Sequence, residues 1–475
     1  MAALDEVPVT AMSPERFRSL LGDRYEEVEE GIITAQEILK GRVVWHVNST
    51  GRGGGVAELL HSLLAYARGA GADVRWLTIS GNPDFFRVTK RIHNHLHGFD
   101  GDGGPLGRAE RKVYDAALAE AADELVEIVE PGDVVYIHDP QPAGLVPHVV
   151  ASDVRVIWRC HIGVDRPGEL TRAAWDLLRP YVEDADAYVF SRERFIWEGL
   201  DRDRVWIVPP SIDVFSPKNQ DLDQDAVRSI LAVTGVGAGD HVSHALFNRI
   251  DGSETRVGRH ADLIQDGPVP DGSSLVSQIS RWDRLKDPVG VLRCFAEYAR
   301  SDGAHLLLAG PSVAGVSDDP EGAEVLAEVD ARRQELPAEK RARVHLASLP
   351  VDDVEENAAM VNAIQRRSDV VLQKSLAEGF GLTVAEAMWK ARPVVASRVG
   401  GIQDQIVDGV SGVLIDDPTD LEAVASAVDG FISDPARAAE VGTAARQRVV
   451  DEFLNVRSLL QYLHLLQSLF ARESG

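Results

Sequence analysis

Twelve short apolar, β-branched runs alternate with helix-length amphipathic segments along this chain, a pattern that limits the fold to parallel sheets with helices on both faces. Six precede a proline-bearing stretch: Val43–Asn48, Val74–Ile79, Val134–His138, Val154–Cys160, Ala187–Phe190 and Val205–Val208. Six follow it: Leu275–Ile279, His305–Ala309, Val344–Ala347, Val370–Gln373, Val394–Ala396 and Gly412–Ile415. The stretch itself, Pro209 to Asn219, holds three prolines and reads as an interdomain linker. The predicted organisation is a helical preface over 1–42, a Rossmann-like domain over 43–210, a second over 211–440, and C-terminal helices over 441–475. A polar, Gly- and Asp-bearing stretch, 232–273, falls inside the second domain and reads as an insert.

Charge narrows the partners. With 75 acidic and 49 basic residues among 475, the net charge is −26. Nucleic acid is disfavoured, since its phosphates need a concentrated basic face. An anionic substrate would have to be captured by local cations and helix N-termini. The two cysteines, Cys160 and Cys294, lie in apolar runs and imply no disulfide framework. Neither a charged-then-apolar leader nor a long uncharged apolar run is present, so a cytoplasmic protein without a membrane span is expected.

The segment EGFGLTVAE, Glu378 to Glu386, places two carboxylates eight positions apart around a glycine turn that opens a helix. Gly379 and Gly381 let backbone approach a ligand closely. The helix from Leu382, preceded by Phe380, turns its free N–H groups toward whatever Glu378 faces. A carboxylate there can accept from sugar hydroxyls, and Glu386 from a ribose; two solvated acids on a surface helix are the plainer alternative. Arg281 and Lys286 follow a strand and could offset charge on a leaving diphosphate, or simply be solvated. Val43–Asn48 leads into a glycine loop, Gly51, Gly53, Gly54 and Gly55, and then a helix. The loop lacks the G-x-G-x-x-G spacing of a dinucleotide site.

The spacing of Glu378 and Glu386, with Arg281 and Lys286, resembles the retaining, two-Rossmann-domain (GT-B) glycosyltransferases of family 4. HVNSTGRGGGVAE, HDPQPAGL, WRCHIG and EGFGLTVAEAMWKARPVV are similar to the trehalose-forming members, which join glucose from a nucleotide donor to glucose. The resemblance implies two doubly wound domains facing across a cleft, with the final helices, from about Pro435, crossing back to the first domain. It implies catalytic roles for Arg281, Lys286, Glu378 and His161, the last near the donor sugar. Donor contacts would come from Gly379, Phe380, Gly381, Leu382, Glu386, Gly54 and Gly55, and acceptor contacts from Asp139, Gln141 and Asn48. Nucleoside diphosphate glucose, ADP- or UDP-glucose, would be the co-substrate, with no covalently bound cofactor and Mg compatible but not required. Small sugars would be the partners, and a homodimer is compatible with the sequence.

The acidic residue usual in this family two positions after the His is Gly163 here, with Asp165 as its stand-in. Trehalose phosphorylase, another sugar acceptor, and a silent sugar-nucleotide sensor are the alternatives. His93, His95 and His97 suggest a metal site less well than a helix face, lacking an acid at ligand spacing. Asp184 with Asp186, and Asp100 with Asp102, match a metal-binding Asp-x-Asp pattern but end no apolar strand.

Overall fold

The computed structural model describes residues 3–51, 54–239, 244–313 and 320–471. They form two compact units, Met1–Ser211 with Phe453–Gly475, and Ile212–Glu452.

Unit 1 is built on a seven-stranded sheet. Its strands are β1 (Leu4–Val7), β2 (Val43–Asn48), β3 (Asp73–Ile79), β4 (Val134–His138), β5 (Arg155–Cys160), β6 (Ala187–Phe190) and β7 (Val205–Ile207). They lie in the order β1-β3-β2-β4-β5-β6-β7, all parallel except β1, which runs antiparallel to β3 with Leu4 opposite Ile79. A parallel sheet is covered on both faces, so its central strands read as unbroken apolar runs, and all five residues of β4 are buried. Trp158, Leu118 and Leu178 fill one face. Trp76, Leu60 and Leu465 fill the other.

Ahead of the helical segments of 1–42, β1 adds an edge strand that the apolar runs do not predict. Asp5 and Glu6 stay exposed between half-buried Leu4 and Val7, so this edge strand shows no apolar alternation. It is fixed by the Ala3 and Leu4 N–H groups, which donate to the Glu124 carboxylate at 2.9 Å.

Unit 2 contains β8 (Leu246–Asn248), β9 (Glu254–Arg256), β10 (Asp262–Ile264), β11 (Leu275–Ile279), β12 (His305–Pro311), β13 (Val344–Leu349), β14 (Val370–Gln373), β15 (Val394–Ser397) and β16 (Val413–Ile415). The main sheet runs β10-β13-β12-β11-β14-β15-β16, again parallel apart from its first member. The 232–273 stretch is therefore not without structure. β8 and β9 pair with each other, and β10 extends the sheet with Leu263 opposite Ala347. The buried Glu356 carboxylate accepts from the Gly258 and Arg259 N–H groups at 2.6 and 2.8 Å, which ties the stretch down.

The final helices part company. Pro435–Glu452 stays in unit 2, where Gly442 lies so close to the turn after the Leu382–Trp389 helix that a β-carbon would stand 2.2 Å from the Ala391 carbonyl oxygen. Asn455–Ala471 alone returns to unit 1 and buries Leu465, Leu466 and Leu469 there. The return thus falls at Phe453, later than the expected 441.

Candidate active site

In unit 2, β11 and β14 are parallel neighbours, with Val276 opposite Val370. Side chains following their carboxyl ends therefore meet on one edge, where open α/β sheets bind ligands. Lys286 Nζ donates to Glu378 Oε2 at 2.5 Å, and both side chains are largely buried. Ser375 Oγ adds a longer bond to the same oxygen, 3.3 Å. A second ion pair, Lys374 with Asp287, joins the same two loops. Gln278, buried at the end of β11, stitches them once more: its amide donates to the Lys286 carbonyl at 2.8 Å and its oxygen accepts from the Lys374 N–H at 2.9 Å. Arg281 differs from these residues. Its side chain is 61% exposed and, among the described residues, pairs with Asp283 at 3.1 Å, so it projects a solvated positive charge.

The glycine turn follows from sterics. Gly381 has φ +81°, a left-handed conformation that a side chain would strain, and among the described residues no side chain caps the Leu382–Trp389 helix it opens. Gly400 lies against the turn, where a β-carbon would fall 1.7 Å from the Glu378 carbonyl oxygen. The Gly401 N–H donates to the Gly379 carbonyl at 2.8 Å, and Gln405 Nε2 to that of Phe380 at 2.6 Å. These bonds fix the backbone from Glu378 to Gly381 without using the helix's first N–H groups.

Glu386 is 4% exposed, further inside than a solvated surface acid. Lys218 Nζ stands 3.6 Å from its Oε1. Neighbouring Asn219 is docked on the same helix, accepting from Lys390 Nζ at 2.8 Å and Trp389 Nε1 at 2.9 Å. Lys218 and Lys374 are site residues that sequence reasoning missed. Each is one lysine in a loop, and only the register of the fold brings it to a carboxylate.

In unit 1 the corresponding edge carries Asn48, Asp139 and His161, at the ends of adjacent β2, β4 and β5. Asn48 is buried and donates to the Thr50 carbonyl at 3.1 Å. Asp139 has φ +64°. Its N–H donates to the Arg159 carbonyl at 2.7 Å, and its Oδ1 accepts from the His161 N–H at 2.7 Å. Burial raises the Asp139 carboxyl to about 7, against the opposing pull of that N–H and of the Arg159 charge. Gln141 is half-buried, with an Oε1 sealed from solvent and unpaired among the described residues. Gly54 (φ +79°) opens the Gly54–Gly69 helix and Gly55 is exposed in its first turn; Gly53 lies outside the described residues.

Three imidazoles cross the sheet behind this edge. His46 Nδ1 is 2.9 Å from His138 Nε2, and His138 Nδ1 is 3.4 Å from His161 Nε2. Burial, reinforced at His138 and His161 by the Arg159 charge, holds those two well below the ordinary histidine range. Burial alone takes His46 to about 3. Motif reading found His161 but not the array behind it.

At Gly163 a β-carbon would meet the Phe195 ring at 2.3 Å, so no acidic residue fits there. Asp165 pairs with the buried Arg192 and is committed to that contact. Asp102 is tied to Arg91, and Asp186 accepts the Val156 N–H at 2.8 Å. Among the described residues no group of three or more His, Cys, Asp or Glu is arranged to hold a metal ion, and no helix is long and apolar enough to cross a membrane.

Residues 46–197 match the family model for the trehalose synthase N-terminal domain, and residues 261–448 match that for glycosyl transferases group 1. A trehalose synthase of Pyrococcus horikoshii is 35% identical over 456 residues, 96% of each chain. The chain belongs to the trehalose synthase family. A second trehalose synthase, from Rubrobacter xylanophilus, is 37% identical over 91% of each chain. Among solved structures, Anabaena HepE in complex with UDP and glucose shares the fold, with a TM-score of 0.59 at 14% identity over 90% of this chain and 100% of that one. This member of the trehalose synthase family is a glycosyltransferase with GT-B architecture, two Rossmann-like units on parallel sheets. Its unit 2 edge offers cations, an anchored carboxylate and an uncapped helix start, which suit an anionic, hydroxyl-rich ligand.

Proposed function

We propose that this glycosyltransferase moves glucose from a nucleoside diphosphate glucose to free glucose with retention at the anomeric carbon, as a family 4 enzyme, giving α,α-trehalose. The observation that carries the reading is the Lys286–Glu378 pair beside the exposed Arg281, in a chain aligned almost end to end with trehalose synthases. In this reading Arg281 and Lys286 hold the diphosphate, and Glu378 with the Gly379–Gly381 backbone holds the donor glucose. Glu386, oriented by Lys218, accepts from the ribose. Asn48, Asp139, Gln141 and His161 serve the sugars from unit 1.

The chemistry is a same-face displacement. The bond between the anomeric carbon and the diphosphate oxygen breaks, the acceptor hydroxyl oxygen bonds that carbon from the same side, and its proton passes to the departing phosphate oxygen. Two fixed cations offset the charge growing on the diphosphate, each worth about 2–4 kcal/mol of barrier. The UDP held by the Anabaena neighbour supports a nucleotide donor, with ADP- and UDP-glucose the candidates.

The test is a proton NMR time course with glucose and an equal mixture of ADP-, UDP- and GDP-glucose. One symmetric α,α anomeric signal appearing as a donor is lost is the expected result. No disaccharide with all donors intact overturns the reading, and phosphorolysis of trehalose without nucleotide would replace it with a phosphorylase.

A further inference from the structure

The imidazoles of His46, His138 and His161 form a continuous hydrogen-bonded array with rings nearly parallel, 20° apart at each step and with centroids 5.2 and 5.7 Å apart. Tyr136 stacks on His46 at 4.7 Å with its ring within 1° of parallel, and fixes that end of the array. A neutral imidazole has one N–H and one lone pair. The central ring, His138, uses both nitrogens and neutral has a single proton, so the array has only two proton arrangements. Either every N–H points toward His161, or every N–H points toward His46.

The two arrangements differ at the ends. His46 Nε2 has no hydrogen-bond partner among the described residues, and the ring lines an apolar pocket walled by Leu63, Leu64 and Leu463. A proton on Nε2 would face this apolar lining with no protein acceptor among the described residues, and forgoing a hydrogen bond there disfavours that arrangement. With the proton on His46 Nδ1 instead, that nitrogen donates to His138 Nε2, His138 Nδ1 donates to His161 Nε2, and His161 carries its proton on Nδ1. The buried Arg159, whose Nε and Nη1 have no partner among the described residues, disfavours a second proton on the neighbouring His138 and His161 rings.

We infer that His46 and His138 are positioning residues: together they fix the tautomer of His161, so that it presents Nδ1–H, a hydrogen-bond donor, to a sugar oxygen. The inference rests on the reading of His161 as a contact to the donor glucose. The signal sent along the array is the sense of a hydrogen bond, with no net proton transfer.

Nitrogen-15 NMR of the full-length protein labelled at histidine reads the tautomers directly. All three histidines protonated at Nδ1 is the expected result, and His161 protonated at Nε2 overturns the inference. A pair of substitutions supplies the kinetic arm. His46→Asp places an acceptor against His138 Nε2 and should flip both remaining rings, lowering kcat about tenfold, the scale of one misdirected hydrogen bond. His46→Asn, whose amide nitrogen can donate as Nδ1–H does, should restore most of the turnover lost in His46→Asp. Equal kcat in the two variants, both folded by circular dichroism, also overturns it. Failure of the underlying reading looks different, because His161→Ala would then turn over as the unsubstituted enzyme does. If His46→Asp does not fold, the NMR measurement on the unsubstituted protein decides alone.

Discussion

Replacing Lys286 by Met separates what its charge does for the fold from what it does for the reaction. The ammonium lies 2.5 Å from Glu378 Oε2, with the two side chains 14% and 12% exposed. Breaking a buried pair by removing one partner costs about 3–5 kcal/mol, because the other charge is left uncompensated. Here Ser375 still donates to Glu378 and some water reaches the site, so the expected loss is about 2–3 kcal/mol. The loss in turnover is set separately, by the missing charge on the diphosphate, at roughly 30- to 1,000-fold.

Arg281→Ala provides the contrast. Its exposed pair with Asp283 is worth at most about 1 kcal/mol, so stability should barely change, while turnover should fall by about 10². The double variant Lys286→Met, Glu378→Gln removes both charges and should recover much of the stability without recovering turnover. Denaturant unfolding and steady-state kcat at saturating donor and acceptor measure the two quantities. Unchanged turnover in both Lys286→Met and Arg281→Ala would refute the diphosphate assignment. Turnover that returned with stability in the double variant would show that Lys286 acts only by holding Glu378 in place.

Two further outcomes follow from the geometry. Gly400→Ala must displace the Glu378 backbone, since its β-carbon would overlap that carbonyl at 1.7 Å and its φ is +50°; we expect at least about 2 kcal/mol of destabilisation and near-complete loss of turnover, and an active, stable variant would contradict the described turn. Unit 1 should weaken in acid: His46, His138 and His161 are held below their unfolded value of about 6.5, so the unfolded chain binds more protons and stability falls as pH drops below it. Asp139, raised to about 7, works the other way and offsets about one of the three. The net slope near pH 5 is about 3 kcal/mol per pH unit from these groups, and an opening free energy of the β4 amides, taken from exchange rates corrected for their intrinsic pH dependence, that was unchanged between pH 7 and 5 would disprove it.

Much of the fold was legible because parallel strands buried on both faces spell themselves out. β2, β4, β6, β11 and β14 begin and end at the residues their apolar runs predict. The failures lie at sheet edges. β1 and β10 pair on one side only, so Asp5, Glu6 and Asp262 stay exposed and no apolar run forms. On the unit 2 edge, Glu378 and the glycine turn were readable because one short segment fixes their spacing, and Lys286 because it follows closely on a strand. Lys218, Lys374 and the His46–His138 contact were not, since they join residues 87 to 168 positions apart that only the tertiary fold brings together. The Asn455–Ala471 helix was foreseen in unit 1, but the point of return was not, because tertiary contacts such as Gly442 against Ala391 and Arg448 on the Asp404 and Gln405 carbonyls keep the preceding helix in unit 2.

That return has a consequence for the order in which the chain acquires structure. Unit 2 is one continuous segment and is complete on the ribosome once residue 452 has emerged. Unit 1 is made first but finished last: until Asn455–Ala471 arrives, the sheet face bearing Trp76, Val134 and Val189 lacks its cover of Leu465, Leu466 and Leu469. Translation delivers 20 residues or fewer each second, so the 241 residues of unit 2 impose a wait of at least about 12 seconds with that face open. During that interval a nascent chain would be open to chaperones that bind exposed apolar surface, and a stop codon introduced after residue 452 would make the interval permanent.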